Sequence, residues 1–283
     1  MNKEMLFMKI KPTLFILILL GLVEILISLY LIHWRESFWN AISDKNSHEF
    51  ITNILIFLSV AFIACFTSSL STYCVTKASI IWRCSLNRKA LNNVDKHSDN
   101  VLNINQRIQE DCKEYPRLYL LLIFNIIKST TYVIIFTSLF IYNYNYYIIC
   151  GLFIYIISYT LLSRHVAKPL ISLNYKSQQA EAIYRQSMDT FNFTACIYLL
   201  FGVAKFEKKL SYFQTFFNQF NVIIPLLFMS SQYFTTSMTL GVLISANSIL
   251  NEIISNMSYV INNYQLINLC LASKQRLKEI GVV

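Results

Sequence analysis

The stretch LFILILLGLVEILISLYLI, residues Leu14–Ile32, contains a single charged side chain, Glu24, in an otherwise uncharged and mostly apolar run. A membrane-spanning helix needs about 20 mostly apolar residues, because the bilayer core offers no water to unpaired backbone groups. This length and composition predict a transmembrane helix. Because no small-residue cleavage site ends the stretch and further apolar stretches follow it, we do not expect a cleaved signal peptide.

The same pattern recurs along the rest of the 283 residues. Apolar residues make up 55% of the sequence and charged residues only 14%, whereas a soluble domain carries about 25% charged residues. The sequence therefore predicts an all-α membrane protein with six transmembrane helices in one domain, residues 1–283. The expected spans are Leu14–Ile32, Phe50–Val75, Leu118–Tyr142, Tyr146–Leu162, Leu210–Met229 and Phe234–Ile261.

Lysine and arginine are concentrated on one side of these spans. The N-terminus, the second and fourth connections and the C-terminal tail hold 21 of them, whereas the first, third and fifth connections hold 2, Arg35 and Lys45. Because basic residues accumulate on the cytoplasmic side, we expect both termini to be cytoplasmic in a multi-pass protein of a bacterial inner membrane. Topology alone accounts for the net charge of +9, so we expect no nucleic-acid partner.

The two long inner connections keep the spacing of helices. In Ser79–Val94, apolar positions alternate with Arg83, Arg88 and Lys89 at helical intervals. This periodicity predicts that spans two to five continue as helices into the cytoplasm.

The composition also argues against several kinds of site. A phosphate-binding loop of the G-x-x-x-x-G-K-[ST] type needs closely spaced glycines, so that backbone N–H groups can surround the phosphates. The five glycines lie far apart, and the seven cysteines and four histidines show no ligand spacing. We therefore predict no ATP-binding site, no enzyme activity, no metal site and no cofactor on this chain. The glycines are Gly21, Gly151, Gly202, Gly241 and Gly281.

One inner segment carries a recognisable motif. Residues Asn103–Asp111, here called the coupling segment, read NINQRIQED. They resemble the N-P-D-Q-R-I-x-E-D motif of the ABC transporter transmembrane family that includes YddA-like permease/ATPases, peroxisomal fatty-acyl half-transporters and SbmA/BacA peptide-uptake proteins. Ile104 and Asn105 replace the motif's Pro and Asp.

Further segments resemble the same family in the same order, so that the resemblance covers nearly the whole chain. Arg35–Ala41 is similar to the W-x-R-x-F-Y-D-A segment after the first span, and Ile81–Leu91 is similar to I-R-W-R-x-x-L. Lys168–Tyr175 is similar to R-P-L-V-x-L-N-F, and Tyr264–Leu277 fits the closing Y-x-x-L-A-x-x-x-A-x-x-x-R-L pattern.

The resemblance implies an ABC exporter-type transmembrane domain that works as a homodimer in the lipid bilayer. Such a domain moves substrate by alternating access, with its cavity opening in turn to each side. Energy is then expected from a separate ABC ATPase subunit, so ATP would act only through that partner domain.

Two other interpretations stay open. The SbmA/BacA proteins take up peptides with proton movement and no ATPase, and this chain stops close to where they end. The chain is also short between Gly202 and Leu210, where the family carries a longer helix. That shortening would fit a truncated, non-functional remnant.

Two groups of residues are candidates for function. The resemblance implies a coupling role for Asn103, Gln106, Arg107, Glu110 and Asp111, in which Arg107 and Asp111 are spaced to pair along a helix; a solvated surface ion pair is the alternative. Three ionisable residues fall within predicted spans, where charge is costly, so each should face a water-filled path or a partner. They are Glu24, Lys128 and Glu252. The amine of Lys128 could instead snorkel towards the cytoplasm.

Overall fold

The computed structural model describes residues 3–97, 104–144, 146–158, 160–162, 165, 194–235, 238–279 and 281–282. Almost all of these residues are helical and none lies in a strand, which confirms the all-α prediction for this part of the chain. The helices are α1 Lys3–Ser43, α2 Ser47–His97, α3 Ile104–Asn143, α4 Tyr146–Leu162, α5 Thr194–Thr235, α6 Leu240–Met257, α7 Tyr259–Asn262 and α8 Tyr264–Glu279.

Among the residues that the structure describes, three helices are long and apolar enough to cross a bilayer, over Lys11–Ser43, Ser47–Asn92 and Gln109–Asn143. They contain the first three expected spans. The fourth expected span coincides with the shorter apolar helix α4, and the fifth lies inside α5. The sixth overlaps the end of α5, then α6 and α7. The count of six spans therefore stays a prediction, whereas the membrane-spanning character of α1 to α3 follows from their length and composition.

The turn between α1 and α2 shows why the first helix ends where it does. Lys45 takes a left-handed backbone conformation with φ of 54°. Its N–H donates to the Ile42 carbonyl, and the Asn46 N–H donates to the Ala41 carbonyl, which satisfies carbonyls that the helix end leaves open. The Asn46 side chain then accepts from the Glu49 N–H at 3.3 Å, so this residue also caps the start of α2.

The described residues fall into two compact units. The first comprises Met1–Leu139 with Gln232–Val283, and the second comprises Phe140–Ser231. In the first unit, α1 packs against α2 and α6. In the second unit, α4 contacts α5 through a Tyr155–Asn221 hydrogen bond of 2.7 Å.

Among the described residues, two apolar clusters join helices of the first unit. One joins Leu17 and Leu20 of α1 to Cys74 and Val75 of α2, with Phe124 of α3 packed against them. The other, here called the inner cluster after the side predicted to be cytoplasmic, joins the C-terminal part of α2 to the N-terminal half of α3 and to α8. Its buried members are Leu86, Ala90, Cys112, Tyr115, Leu122, Cys270, Leu277 and Val282. The first cluster brings the middle of α1, α2 and α3 close enough for polar side chains to meet.

Candidate functional site

Glu24 and Lys128, two of the three ionisable residues predicted inside spans, contact each other. The Lys128 ammonium lies 2.8 Å from Glu24 Oε2, and Ser71 Oγ donates to Glu24 Oε1 at 2.9 Å. The side chains of Glu24 and Lys128 are only 16% and 26% exposed. One carboxylate therefore links α1, α2 and α3 within their apolar stretches.

Tyr132 extends this network by one helical turn. Its hydroxyl lies 3.1 Å from the Glu24 carbonyl oxygen and 2.8 Å from Ser28 Oγ. A phenol has one proton to donate, so when it donates to the carbonyl it must accept from Ser28. Because Glu24 and Ser28 are four residues apart on α1, and Lys128 and Tyr132 four apart on α3, two matching helix faces supply the network.

Glu252 of α6 is held differently. Its carboxylate receives one long contact of 3.4 Å from the Asn256 amide, which also donates to the Glu252 carbonyl at 2.8 Å. Arg35 and Lys128 lie close enough to act on Glu252 electrostatically. The structure thus gives Glu24 a direct cationic partner, whereas Glu252 lies in the field of two cations.

Asp111, the last residue of the coupling segment, pairs with Arg276 of α8. Arg276 Nε lies 2.9 Å from Asp111 Oδ2 and 3.1 Å from Oδ1, and Nη2 lies 2.7 Å from Oδ1. Arg276 Nη2 also donates to Ser273 Oγ at 3.2 Å. The carboxylate of Asp111 is therefore held by a residue 165 positions away, in addition to any pairing along its own helix.

The other residues expected to act in coupling are less well placed by the structure. Asn103 lies outside the described residues, as do the side chains of Gln106 and Arg107. Glu110 is exposed on the first turns of α3. The expected pairing of Arg107 with Asp111 accordingly stays a prediction.

The Asp111–Arg276 pair lies beside the inner cluster, in which Ala90 of α2, Cys112 of α3 and Leu277 of α8 are buried together. Lys89 of α2 donates to the Val282 carbonyl at 3.4 Å. After α8, Gly281 has φ of 70°, its N–H donates to the Lys278 carbonyl, and the Val282 N–H donates to the Leu277 carbonyl. This arrangement is a Schellman cap, in which the buried Leu277 and Val282 form the accompanying apolar contact.

No group of three or more His, Cys, Asp or Glu side chains suited to a metal occurs within the described residues. Cys270 is buried in the inner cluster, and this burial raises the pKa of its thiol, although the nearby Lys274 opposes the shift. Burial makes this cysteine a packing residue rather than a nucleophile.

Several residues of these networks, among them Ser71, Tyr132 and Arg276, were not among the sequence candidates. Ser71 and Tyr132 carry no charge, and such side chains are common in membrane helices, so nothing in the sequence singles them out. Arg276 was matched only as part of the closing pattern. The signal that could have found it is its position as a basic residue on α8 next to the buried Leu277.

Comparison with known proteins agrees with the resemblance. Residues 6–195 match the family described as ABC transporter transmembrane region 2. An uncharacterized ABC transporter ATP-binding protein of Haemophilus influenzae is 26% identical over 275 residues, which cover 82% of this chain and 46% of that protein. The inner membrane ABC transporter ATP-binding protein YddA of Escherichia coli is 23% identical over 293 residues, covering 87% of this chain and 52% of that protein.

This chain spans about half the length of these relatives. The family match covers well over half of its residues and begins inside α1. The resemblance inferred from the coupling segment is thereby confirmed, and the chain belongs to the ABC transporter transmembrane region 2 family.

Proposed function

We propose that this chain forms the membrane-spanning part of an ABC-type transporter, with six transmembrane helices in each copy and two copies around one translocation path. The observation that carries the proposal is the family match over residues 6–195. The path opens alternately to the two sides of the membrane. ATP hydrolysis is supplied by an ABC ATPase domain outside these 283 residues, because they contain no phosphate-binding glycine loop.

We call the contacts among Glu24, Ser28, Ser71, Lys128 and Tyr132 the intramembrane network. It supports a translocation role for Glu24 and Lys128. Charged side chains within membrane helices are costly and usually face a partner or a water-filled path. Here each charge has the other as partner, and Ser71 and Tyr132 add polar groups from α2 and α3. Rearrangement of these contacts would expose donors and acceptors to a passing substrate.

The helices α2 and α3 support a coupling role for the coupling segment. Both reach beyond the expected spans, to His97 and from Ile104 respectively, so residues 104–111 of the coupling segment form the first turns of α3, ahead of its apolar stretch. An ATPase docked on this end would push on α2 and α3 directly. The exposed Glu110 would lie at its contact surface, whereas the buried Asp111 would hold the segment from behind.

A second candidate function is proton-driven uptake of peptides. The observation that favours it is the loosely held carboxylate of Glu252, which receives a long contact of 3.4 Å from the Asn256 amide. A carboxylate with few fixed donors can exchange a proton more readily than one locked in an ion pair.

The two functions are separated by supplying one energy source at a time. The purified chain should neither bind nor hydrolyse ATP, whereas an ATPase should co-purify from native membranes after cross-linking. Arg107→Ala and Asp111→Ala should weaken that co-purification, and Lys113→Ala, at an exposed position of the same helix, serves as the control.

In vesicles with an imposed proton gradient and no ATPase, uptake of a basic peptide should be absent. Gradient-driven uptake that is lost in Glu252→Gln and retained in Lys113→Ala would replace the ATPase proposal with the proton-driven one. The glutamine variant keeps the shape and hydrogen bonding of the side chain while removing proton exchange.

A further inference from the structure

The contact between Asp111 and Arg276 connects two parts of the chain that the sequence keeps far apart. Asp111 ends the coupling segment at the start of α3, and Arg276 lies in the last turn of α8. We propose that Arg276 is a positioning residue, which fixes the place and rotation of the coupling segment against α8. The proposal deepens the coupling role proposed above and rests on it.

The geometry of the pair favours a positioning role over a simple charge contact. Both carboxylate oxygens face the guanidinium, through Nε at 2.9 and 3.1 Å and Nη2 at 2.7 Å. A planar guanidinium that meets a carboxylate side by side restricts orientation as well as distance. Rotation of α3 about its axis would break these contacts together, so the pair fixes the face that the first turns of α3 present.

Burial makes the pairing obligatory. The side chain of Asp111 is 6% exposed, whereas that of Arg276 is 34% exposed. A carboxylate removed from water is stable only when charged or polar groups compensate it. Arg276 supplies that compensation from a half-exposed position, so Asp111 depends on Arg276 more than Arg276 depends on Asp111.

The end of α8 that carries Arg276 is itself fixed in place. Leu277, the next residue, is fully buried in the inner cluster, and the Schellman cap at Gly281 closes the helix end. Lys89 of α2 holds the Val282 carbonyl, and Ser273 contacts the Arg276 guanidinium from one turn earlier. The guanidinium is therefore presented from a packed helix rather than from a free end.

Hydrogen exchange of the full chain in lipid nanodiscs tests the proposal without any ATPase. The amides of residues 108–115 bond to the carbonyls of the first turns of α3, so their exchange reports the order of the coupling segment. In Arg276→Gln these amides should exchange at least about tenfold faster, while those in the α2 stretch around Ser71 keep their rate. Lys278→Gln, an exposed basic position on the same helix, should change neither.

The conservative variant Arg276→Lys keeps the charge but lacks the planar fork, so it should restore only part of the protection. Uniformly faster exchange across α2, α3 and α8 would mean that Arg276 has a purely structural role and would overturn the proposal. Unchanged exchange of residues 108–115 in both Arg276 variants would overturn it too. Should Arg276→Gln fail to fold, the comparison of Arg276→Lys with Lys278→Gln still decides.

The failure of this proposal is distinguishable from that of the coupling function. An ATPase that co-purifies with the chain while residues 108–115 stay protected in the Arg276 variants leaves the coupling function intact and removes the role of Arg276. If protection is lost in those variants but no ATPase co-purifies with the chain, the positioning role of Arg276 is supported and the ATPase partner is excluded.

Discussion

Lys128 stands 2.8 Å from a carboxylate that has little access to water, and this makes the two residues mutually dependent. Removing one member of a buried ion pair leaves an uncompensated charge, whereas removing both is often nearly neutral. We expect Lys128→Met to lower the free energy of unfolding by about 3 kcal/mol. Chemical unfolding of the purified protein in detergent measures this change.

The matched comparison is the double variant Glu24→Gln with Lys128→Met, which should recover most of the lost stability because no lone charge remains. Equal stability of the single and double variants would show that the Glu24 carboxylate does not depend on Lys128.

Cys270 provides a chemical measure of the inner cluster. Burial raises the pKa of its thiol, so at a given pH below that value less of the reactive thiolate is present. We expect maleimide to modify Cys270 at least about tenfold more slowly than the exposed Cys84, as measured by mass spectrometry of the peptides. The rate at Cys270 should rise with pH as the thiolate fraction grows. Rapid modification of Cys270 at neutral pH would contradict the packing of α8 against α2 and α3.

The residues of the intramembrane network show where sequence-based prediction reaches and where it stops. Charge within an apolar stretch identifies Glu24 and Lys128, because hydropathy alone makes such residues unusual. Their pairing depends on how α1 and α3 pack across 104 positions of sequence, which no local pattern encodes. The contact of Asp111 with Arg276 was not predicted for the same reason, because helical spacing indicates only near neighbours such as Arg107.

At the scale of elements, the close contact between α1 and α6 requires a glycine at position 241. The Gly241 N–H donates to Asn40 Oδ1 at 3.0 Å. A Cβ at this position would overlap the Glu36 carbonyl oxygen and lie 2.5 Å from Asn40 Oδ1. We expect Gly241→Ala to lower the free energy of unfolding by about 2 kcal/mol, because the α1 backbone cannot move aside cheaply.

Gly202 supplies the control for that substitution. It lies within α5, and an added Cβ would meet nothing within 4 Å. Gly202→Ala should therefore stabilise the protein by up to about 1 kcal/mol through the helix preference of alanine. A similar loss of stability in both variants, measured by the same unfolding assay, would contradict the close contact of α6 with α1.

The boundaries of elements were predicted unevenly. The first three spans lie inside α1, α2 and α3, and α2 and α3 continue as helices beyond those spans as expected. That these continuations lie in the cytoplasm stays a prediction. The last expected span began at Phe234, whereas α5 continues through that residue and α6 starts at Leu240. Thr239 sets this start by accepting from the Val242 N–H at 3.4 Å, a capping signal that hydropathy does not register.

At the scale of the whole molecule, the distribution of basic residues predicts the orientation in the membrane. The variant Asp44→Cys, in the turn between α1 and α2, should react with a membrane-impermeant maleimide in intact cells. Cysteines placed at Met1, Asn103, Gln178 or Val283 should react only after permeabilisation. Replacing the native cysteines by serine removes background labelling. Labelling of Asn103→Cys from outside would contradict the predicted orientation.

The length of α2 has a mechanical consequence. Its 51 residues correspond to about 77 Å at 1.5 Å per residue, more than twice the thickness of the hydrocarbon core. Ser71, which contacts Glu24, lies about halfway along this rod. If the helix pivots at its Ser47 end, a sideways shift of about 1 Å at Ser71 becomes about 2 Å at His97. Small side-chain movements around the Glu24 carboxylate would then be amplified into larger displacements at the far end of α2.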